Sequence, residues 1–450
     1  MSWLHDQTTE TLTRVKRARE LGVFPYFRPF RNLGPRVAIG DRSYINYSSN
    51  DYLGLSQTSK LTAATVQGVR RFGTGLGSAR PQATSVRHLL LERRLAAWLG
   101  YSGCAVFTTG YQALVGTLQA FLDDKTSVVF DKLSHASIID GLLLAKGQHE
   151  DLEMSSFKHN DAASLDKALA GASHPKKLVI VEGLYSVDGD RAPLSDVLAV
   201  ARRHGAVVML DDAHGIGTLG PGGRGVAEAE GVQGEVDLLI GTFSKAFGAV
   251  GGFLCADSAL VEYVTLSARS YLFSASLPVA EVEAALAALD IIREDVALRG
   301  RLRHNGRYFR ERLVAAGFNL GQSNAHITPI FLGNEELTIK FAAALFEHAG
   351  IIMVPFVAPG VPRGKERLRC NVTAVHTEAQ MNYTVSVLEE VGRALGVLTG
   401  TSSVRVSRLE RMRWYLQNRV EGLCNVALPR VRYGVRQWPR RLANRLMKAE

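Results

Sequence analysis

The sequence predicts an α/β protein, with a mainly parallel central sheet covered by helices on both faces and a smaller C-terminal α+β domain. Three observations carry this. Between residues 60 and 280, short continuous apolar runs alternate with stretches of helical apolar spacing, as expected for buried parallel strands joined by helical crossovers. From about residue 280 the pattern changes to long helices flanking isolated strands. The chain has 450 residues, 46% hydrophobic and 21% charged, enough for two or three domains around a large core.

Residues 1–60 read as an N-terminal arm, helical over 8–20 with short strands near 36–47. The large domain spans 61–280. Its helical pattern at 85–99 precedes the first apolar run, "CAVF" (104–107), and four more follow: "SVVF" (127–130), "KLVIV" (177–181), "AVVML" (206–210) and "DLLIG" (237–241). Helices are predicted at 112–122, 137–145, 161–170 and 193–204. The smaller domain, 281–398, holds strands near 326–332 and 367–373. Helical patterns at 278–316, 338–348 and 377–396 flank them. Residues 399–450 form a basic extension with helical spacing over 406–423.

Charge is concentrated in that extension. Residues 401–450 hold twelve Arg or Lys against three Glu, so +9 of the net +10 lies there and the body is nearly neutral. A charge confined to a tail does not make the protein a nucleic-acid binder, and no such partner is expected. Three readings of the tail compete: a helix packed on the body or on a second subunit, a helix at a membrane surface, or a dock for an acidic acyl carrier protein. Cys104, Cys255, Cys370 and Cys424 are far apart in sequence without CxxC pairing, so reduced thiols are expected and neither a zinc site nor a disulfide framework is indicated. No run reaches the roughly eighteen apolar residues of a membrane span. The N-terminus lacks the basic-then-apolar order of a signal peptide. The expectation is a cytoplasmic protein, peripheral to the inner membrane surface if the tail binds lipid.

In open α/β sheets, ligands sit beyond the C-terminal strand ends. Here those ends read Thr108-Thr109-Gly110-Tyr111-Gln112, Asp131-Lys132-Leu133-Ser134-His135, Glu182-Gly183-Leu184-Tyr185-Ser186, Asp211-Asp212-Ala213-His214 and Thr242-Phe243-Ser244-Lys245. Any one is weak evidence, since an Asp after a strand is more often a helix cap. Together they fit one cofactor. A phosphate needs backbone N–H groups at a helix start plus hydroxyls, offered by 108–112 and by Thr242 with Ser244. A pyridinium nitrogen needs a carboxylate, Asp211 or Asp212. His135 suits a ring face, Ser186 and His214 a ring hydroxyl, and Lys245 an aldehyde.

"NYSSNDYLGLS" (46–56), "DKLSHASIIDG" (131–141), "VEGLYSVDGDRAPL" (181–194), "LDDAHGIGTLGPGGRG" (210–225), "GTFSKAFGAVGG" (241–252), "YLFSASLP" (271–278) and "RLRCNVTAVHT" (367–377) resemble, in order, the motifs of the α-oxoamine synthases. These are fold-type I enzymes dependent on pyridoxal 5'-phosphate. The resemblance covers about residues 20–396. It implies that Lys245 carries the cofactor and Asp211 meets the ring nitrogen. It places His214 and Ser186 at the ring hydroxyl and stacks His135 on the ring, and Gly110, Tyr111 and Thr242 cradle the phosphate. Ser274 and Ser276 resemble residues that reach the phosphate of a neighbouring subunit, which implies a homodimer with shared active sites. Arg369, ahead of Arg367, resembles the arginine that grips the amino-acid carboxylate, and Asn50 an asparagine beside the substrate. No metal is implied.

The implied reaction joins a small amino acid to an acyl thioester, on CoA or a carrier protein, with loss of carbon dioxide. Motifs at 242–252 and 358–377 lean toward the serine palmitoyltransferase type with a long-chain donor, which is the favoured expectation. Those at 48–56 and 210–215 lean toward the biotin-pathway 8-amino-7-oxononanoate synthases, the alternative. There is one departure: members usually carry a Gly shortly before the helix corresponding to 85–99, and none stands between Ser78 and His88. Other classes to weigh are an aminotransferase, using the same ring contacts, and a non-catalytic subunit, against which Lys245 argues.

Overall fold

The computed structural model describes residues 3–20 and 23–398. The basic extension, with Cys424, and the expectations attached to it lie outside these residues.

In chain order the elements are α1 (Trp3–Glu20), β1 (Arg36–Ile39), β2 (Arg42–Asn46), α2 (Ser59–Phe72), α3 (Val86–Leu99), β3 (Gly103–Phe107), α4 (Gly110–Phe121), β4 (Thr126–Asp131), α5 (Ala136–Lys146), β5 (Glu153–Phe157), α6 (Ala162–Ala170), β6 (Lys176–Glu182), α7 (Leu194–Arg203), β7 (Val207–Asp211), α8 (Val226–Ala229), β8 (Leu238–Thr242) and β9 (Gly252–Ala256). There follow α9 (Ser258–Ser267), α10 (Arg269–Leu272), α11 (Val279–Glu294), α12 (Val296–Ala315), β10 (Ile327–Phe331), α13 (Glu335–Ala349), β11 (Ile351–Ile352), β12 (Val354–Phe356), β13 (Arg367–Asn371) and α14 (Glu378–Ala394).

Seven strands form the central sheet in the order β3-β9-β8-β7-β6-β4-β5, and β9 alone runs antiparallel to its neighbours. The apolar runs are continuous because both faces of each strand are covered. Val129, Val179, Val181, Val208, Leu210 and Leu239 point into one core, shared with Leu91, Leu95 and Leu289 of the helices. Val128, Ile180, Met209 and Ile240 point the other way, onto Leu114 and Leu118 of α4 and Ile138 and Leu142 of α5. Each such side chain contributes roughly 1.5–3 kcal/mol when fully buried, so the strands, and with them their polar ends, are fixed firmly in register.

All five predicted strands of the large domain are present, together with elements the sequence pattern did not reveal. β5, at the sheet edge, reads Glu-Met-Ser-Ser-Phe and buries little but its last residue. β9 follows β8 through a glycine turn, so no helix announces it. Its insertion beside β3 makes Cys104 and Cys255 register partners, although they are far apart in sequence, and both are free thiols. Helices α2 and α9 were likewise not predicted. The helical pattern over 278–316 breaks at Asp295, whose carboxylate caps α12 by accepting from Leu298 N at 2.9 Å.

The C-terminal region contains an antiparallel sheet, β10-β13-β12, packed with α12, α13 and α14 around Phe309, Phe341, Leu368 and Leu388. The N-terminal hairpin joins it: β2 pairs in parallel with β11, and Ile45 and Tyr47 are part of the same core. This brings the segment after β2, residues 47–56, against the end of the central sheet.

Candidate active site

The C-terminal ends of β4, β6, β7 and β8 lie side by side. Glu182 and Asp211 are register partners across β6 and β7, and Lys245 follows the end of β8 by three residues. Burial pulls the Lys245 ammonium down to about 8, against the opposing pull of Asp211 and Glu182, while Arg369 lowers it further. The amine is therefore available in neutral form near physiological pH. A solvated surface lysine would not have this character.

The two adjacent aspartates divide their roles. Asp212 is fully buried, and its Oδ2 accepts from Val226 N at 2.7 Å. A side chain at Gly183, Gly215 or Gly225 would run into it. Burial pushes its carboxyl up to about 8, so it serves as a neutral anchor for the turn. Asp211, 8% exposed, caps its own turn through Ala213 N with Oδ1 and acts electrostatically on Lys245 and His135. Of the pair left open by the sequence, Asp211 faces the site.

His135 is the N-cap of α5. Its Nδ1 accepts from Ser137 N at 3.2 Å, so the proton of the neutral ring sits on Nε2. Burial lowers its pKa, with Asp211 opposing and Lys245 assisting. His214 is buried and likewise held neutral, by burial first and then by the positive charges of Lys245 and Arg369. Ser186 stands in the turn just beyond β6.

The anion cradle is built on close backbone approach. Gly252, at the start of β9, lies so near the first turn of α4 that a Cβ there would overlap the backbone of Gly110. A Cβ at Gly110 would sit 3.2 Å from that of Thr242. The start of α4 is thus pressed against the end of β8. Thr109 caps the helix, accepting from Gln112 N at 3.1 Å, which leaves the N–H groups of Gly110 and Tyr111 directed outward from the helix end. Thr242 is less free than its sequence position implied. Its one hydroxyl proton goes to Gly251 O at 2.8 Å, and the Ser244 hydroxyl lies 2.8 Å away, placed to give its own proton either to Thr242 or to a bound anion. Ser244 is the exposed hydroxyl of the two. The Tyr111 side chain reaches Asp140 Oδ2 at 2.7 Å, so only its backbone fits the cradle.

Ser274 accepts from Gln112 Nε2 at 2.8 Å, beside the same helix start. Ser276 is buried and donates to Ser78 O at 2.9 Å, so its hydroxyl is directed into its own chain. The loop before α3, where the family glycine is absent, is firmly built. The Arg80 guanidinium forks onto Glu92 at 2.8 and 3.1 Å, and His88 Nε2 meets Leu277 O at 2.9 Å.

Arg367 and Arg369 differ sharply. Arg367 is buried in an ion pair with Asp188 and lies over the Phe331 ring. Arg369 donates through Nη2 to Asn50 Oδ1 at 3.1 Å and to Tyr52 Oη at 3.4 Å, and its buried Nε has no partner. An arginine with one edge anchored and another unsatisfied fits an incoming carboxylate. Asn50 Oδ1 also accepts from Asn371 Nδ2 at 3.0 Å, which makes it the hub that orients Arg369. Tyr52, which stands within the 46–56 motif but is given no role by the resemblance, links the halves of the site. Fully buried, it lies 2.6 Å from His214 Nδ1.

This set fits pyridoxal 5'-phosphate: a neutralisable amine, a carboxylate beside it, a neutral imidazole, and a helix start held open by glycine. Among the described residues no cluster suits a metal ion, and no helix is long and apolar enough to cross a membrane.

Comparison with known proteins agrees. Residues 42–388 match the family model of class I and II aminotransferases. The 8-amino-7-oxononanoate synthase of Geobacter metallireducens is 39% identical over 369 residues, 81% of this chain and 93% of that protein. The serine palmitoyltransferase of Sphingomonas wittichii superposes with a TM-score of 0.84 at 32% identity, covering 88% of this chain and all of that one. The enzyme from S. paucimobilis, solved with bound PLP, gives 0.83 at 33% over the same shares. The chain belongs to the class I and II aminotransferase family and, within it, to the pyridoxal-phosphate-dependent α-oxoamine synthases.

Proposed function

We propose that this enzyme joins a small amino acid to an acyl thioester with loss of the amino-acid carboxyl as carbon dioxide, releasing an α-amino ketone, and that Lys245 is its central residue. One observation carries the reading. Lys245, with its lowered proton affinity, shares a strand-end site with Asp211, while Arg369 presents an unsatisfied edge from the other side.

Pyridoxal phosphate, bound here, would supply an electron sink for charge developing at the α-carbon. Asp211 would keep a proton on the ring nitrogen. His135 would offer its neutral ring face, and the N–H groups of Gly110 and Tyr111 with Ser244 would take the phosphate. Arg369, oriented by Asn50, would hold the amino-acid carboxylate. Lys245, whose proton affinity is lowered to about 8, would take the α-proton and return it. The new carbon–carbon bond forms as the carbonyl–sulfur bond of the thioester breaks and the free thiol leaves. It places the carboxylate β to a ketone, from which carbon dioxide departs readily.

The names of the sequence relatives support a biotin-type substrate pair. An 8-amino-7-oxo nine-carbon acid is alanine, less its carboxyl, joined to a seven-carbon carboxyacyl group. The likeness in shape to serine palmitoyltransferases favours a second reading, serine with a long-chain donor. The test is a screen of glycine, alanine and serine against acyl-CoA of six to eighteen carbons and a seven-carbon ω-carboxyacyl-CoA, read by product mass. Some pair should give the mass of the amino acid plus the acyl-CoA, less carbon dioxide and free CoA. Keto acids alone, with no condensed product from any pair, would overturn the reading.

A further inference from the structure

We propose that His159 is a positioning residue for the reaction: bridging Asp131 and Asp190, it fixes where His135 and Ser186 stand. The proposal rests on the ring-contact roles given to those two residues above.

His159 lies in the turn between β5 and α6, outside the cofactor cradle. Its Nδ1 is 3.0 and 3.2 Å from the two carboxylate oxygens of Asp131, and its Nε2 is 2.8 Å from Asp190 Oδ2. With an acceptor at each nitrogen, the ring must donate from both, which only the imidazolium can do. Burial opposes the charge, but the two carboxylates outweigh it and raise His159 to about 10. The groups facing it are Asp131 from β4, Asp190 from the turn after β6, the Tyr185 ring set edge-on at 4.4 Å, and the neighbouring Asn160, which donates to Asp190 at 3.0 Å.

Each aspartate anchors a turn that carries a site residue, Asp131 through its carboxylate and Asp190 through its backbone. Asp131 ends β4 and accepts from Leu133 N at 2.8 Å and Asn160 N at 3.0 Å, and His135 follows four residues later. Asp190 closes the 184–191 turn, its carbonyl accepting from Tyr185 N at 3.0 Å, and Ser186 lies within that turn. The second turn also meets the C-terminal sheet. Asp188 pairs with Arg367, and Gly189, at φ +69°, approaches Ile327 O so closely that a Cβ would overlap it. One imidazolium thus ties two turns of the site to each other, and through them to the strand that bears Arg369.

The test compares His159→Asn with Asp190→Asn, which keeps an acceptor for Nε2–H but removes a charge, and with His135→Ala as reference. Without added cofactor, amide exchange in 131–137 and 184–191 should quicken about tenfold in His159→Asn, because the clamp holds those turns closed. In the holoenzyme the induced visible circular dichroism should change. kcat should fall about tenfold while the amino-acid KM stays within about threefold, since the Arg369 grip is anchored separately by Asn50. Asp190→Asn should move each readout the same way by less, and it decides the matter if His159→Asn does not fold. A lower melting temperature with wild-type dichroism, exchange and kcat would make the bridge merely structural and overturn the proposal. If His135→Ala changes the dichroism and neither clamp variant does, the clamp fails while the ring contact stands. If His135→Ala also changes nothing, the ring-contact reading fails and takes the clamp with it.

Discussion

At the scale of single residues, the site works by setting the proton affinity of groups through burial and neighbours. Lys245 is the clearest case. Only its unprotonated amine can capture an aldehyde, and its proton is held to about pH 8 rather than the ordinary 10.5. Capture of pyridoxal phosphate by the apoprotein, followed by absorbance, should therefore speed up with rising pH and level off above about 8. A profile still climbing beyond pH 10 would mean an ordinary lysine. The aspartates make a paired prediction. Asp211→Asn should retain cofactor but lower kcat by about a hundredfold or more, as a neutral amide cannot hold the pyridinium proton. Asp212→Asn should chiefly cost stability, by about 1–3 kcal/mol, because the buried amide must replace the bond to Val226 N. Denaturant melts and steady-state assays separate the two, and reversed effects would exchange the assignments. The sequence could not make this choice, since consecutive residues at a strand end both follow the same apolar run. Nor could it choose between Arg367 and Arg369 without the family resemblance. They share a strand face, and only their tertiary partners, Asp188 for Arg367 and Asn50 with Tyr52 for Arg369, distinguish them. Tyr52 was illegible for a related reason: its partner His214 is 162 residues away.

At the scale of elements, the site depends on strand ends being brought to one line and one helix start being pressed upon them. The first was legible, because strands covered on both faces read as continuous apolar runs. The second was not, because Gly252 belongs to β9, an antiparallel strand that no crossover helix announces. Gly252→Ala should force α4 away from β8, at about 1–3 kcal/mol of stability, as expected of overpacking. Its larger effect should be on the cradle, with cofactor affinity by equilibrium dialysis at least tenfold weaker. Wild-type affinity would mean that this helix start does not hold the phosphate. The edge strand β5 was missed because it buries too little to leave a pattern, yet the turn after it supplies His159.

At the scale of the whole molecule, the N-terminal hairpin is built into the C-terminal region, since β2 pairs with β11. That pairing carries Asn50 and Tyr52 to Arg369, a juxtaposition across more than three hundred residues that periodicity cannot reveal. The described residues close this core by 398, where Leu398 packs against it. A chain ending at residue 400 should therefore stay folded, with an unchanged melting temperature and full activity on soluble acyl-CoA. Insolubility or lost activity would make the basic extension part of the fold. The central claim, condensation with loss of the carboxyl, is tested most directly with an amino acid isotopically labelled at its carboxyl carbon and the acyl donor identified by the screen. We predict labelled carbon dioxide in one-to-one ratio with α-amino ketone, dependent on the thioester and absent in Lys245→Ala. Label retained in a keto acid, with no thioester consumed, would contradict the account and mark the enzyme as an aminotransferase.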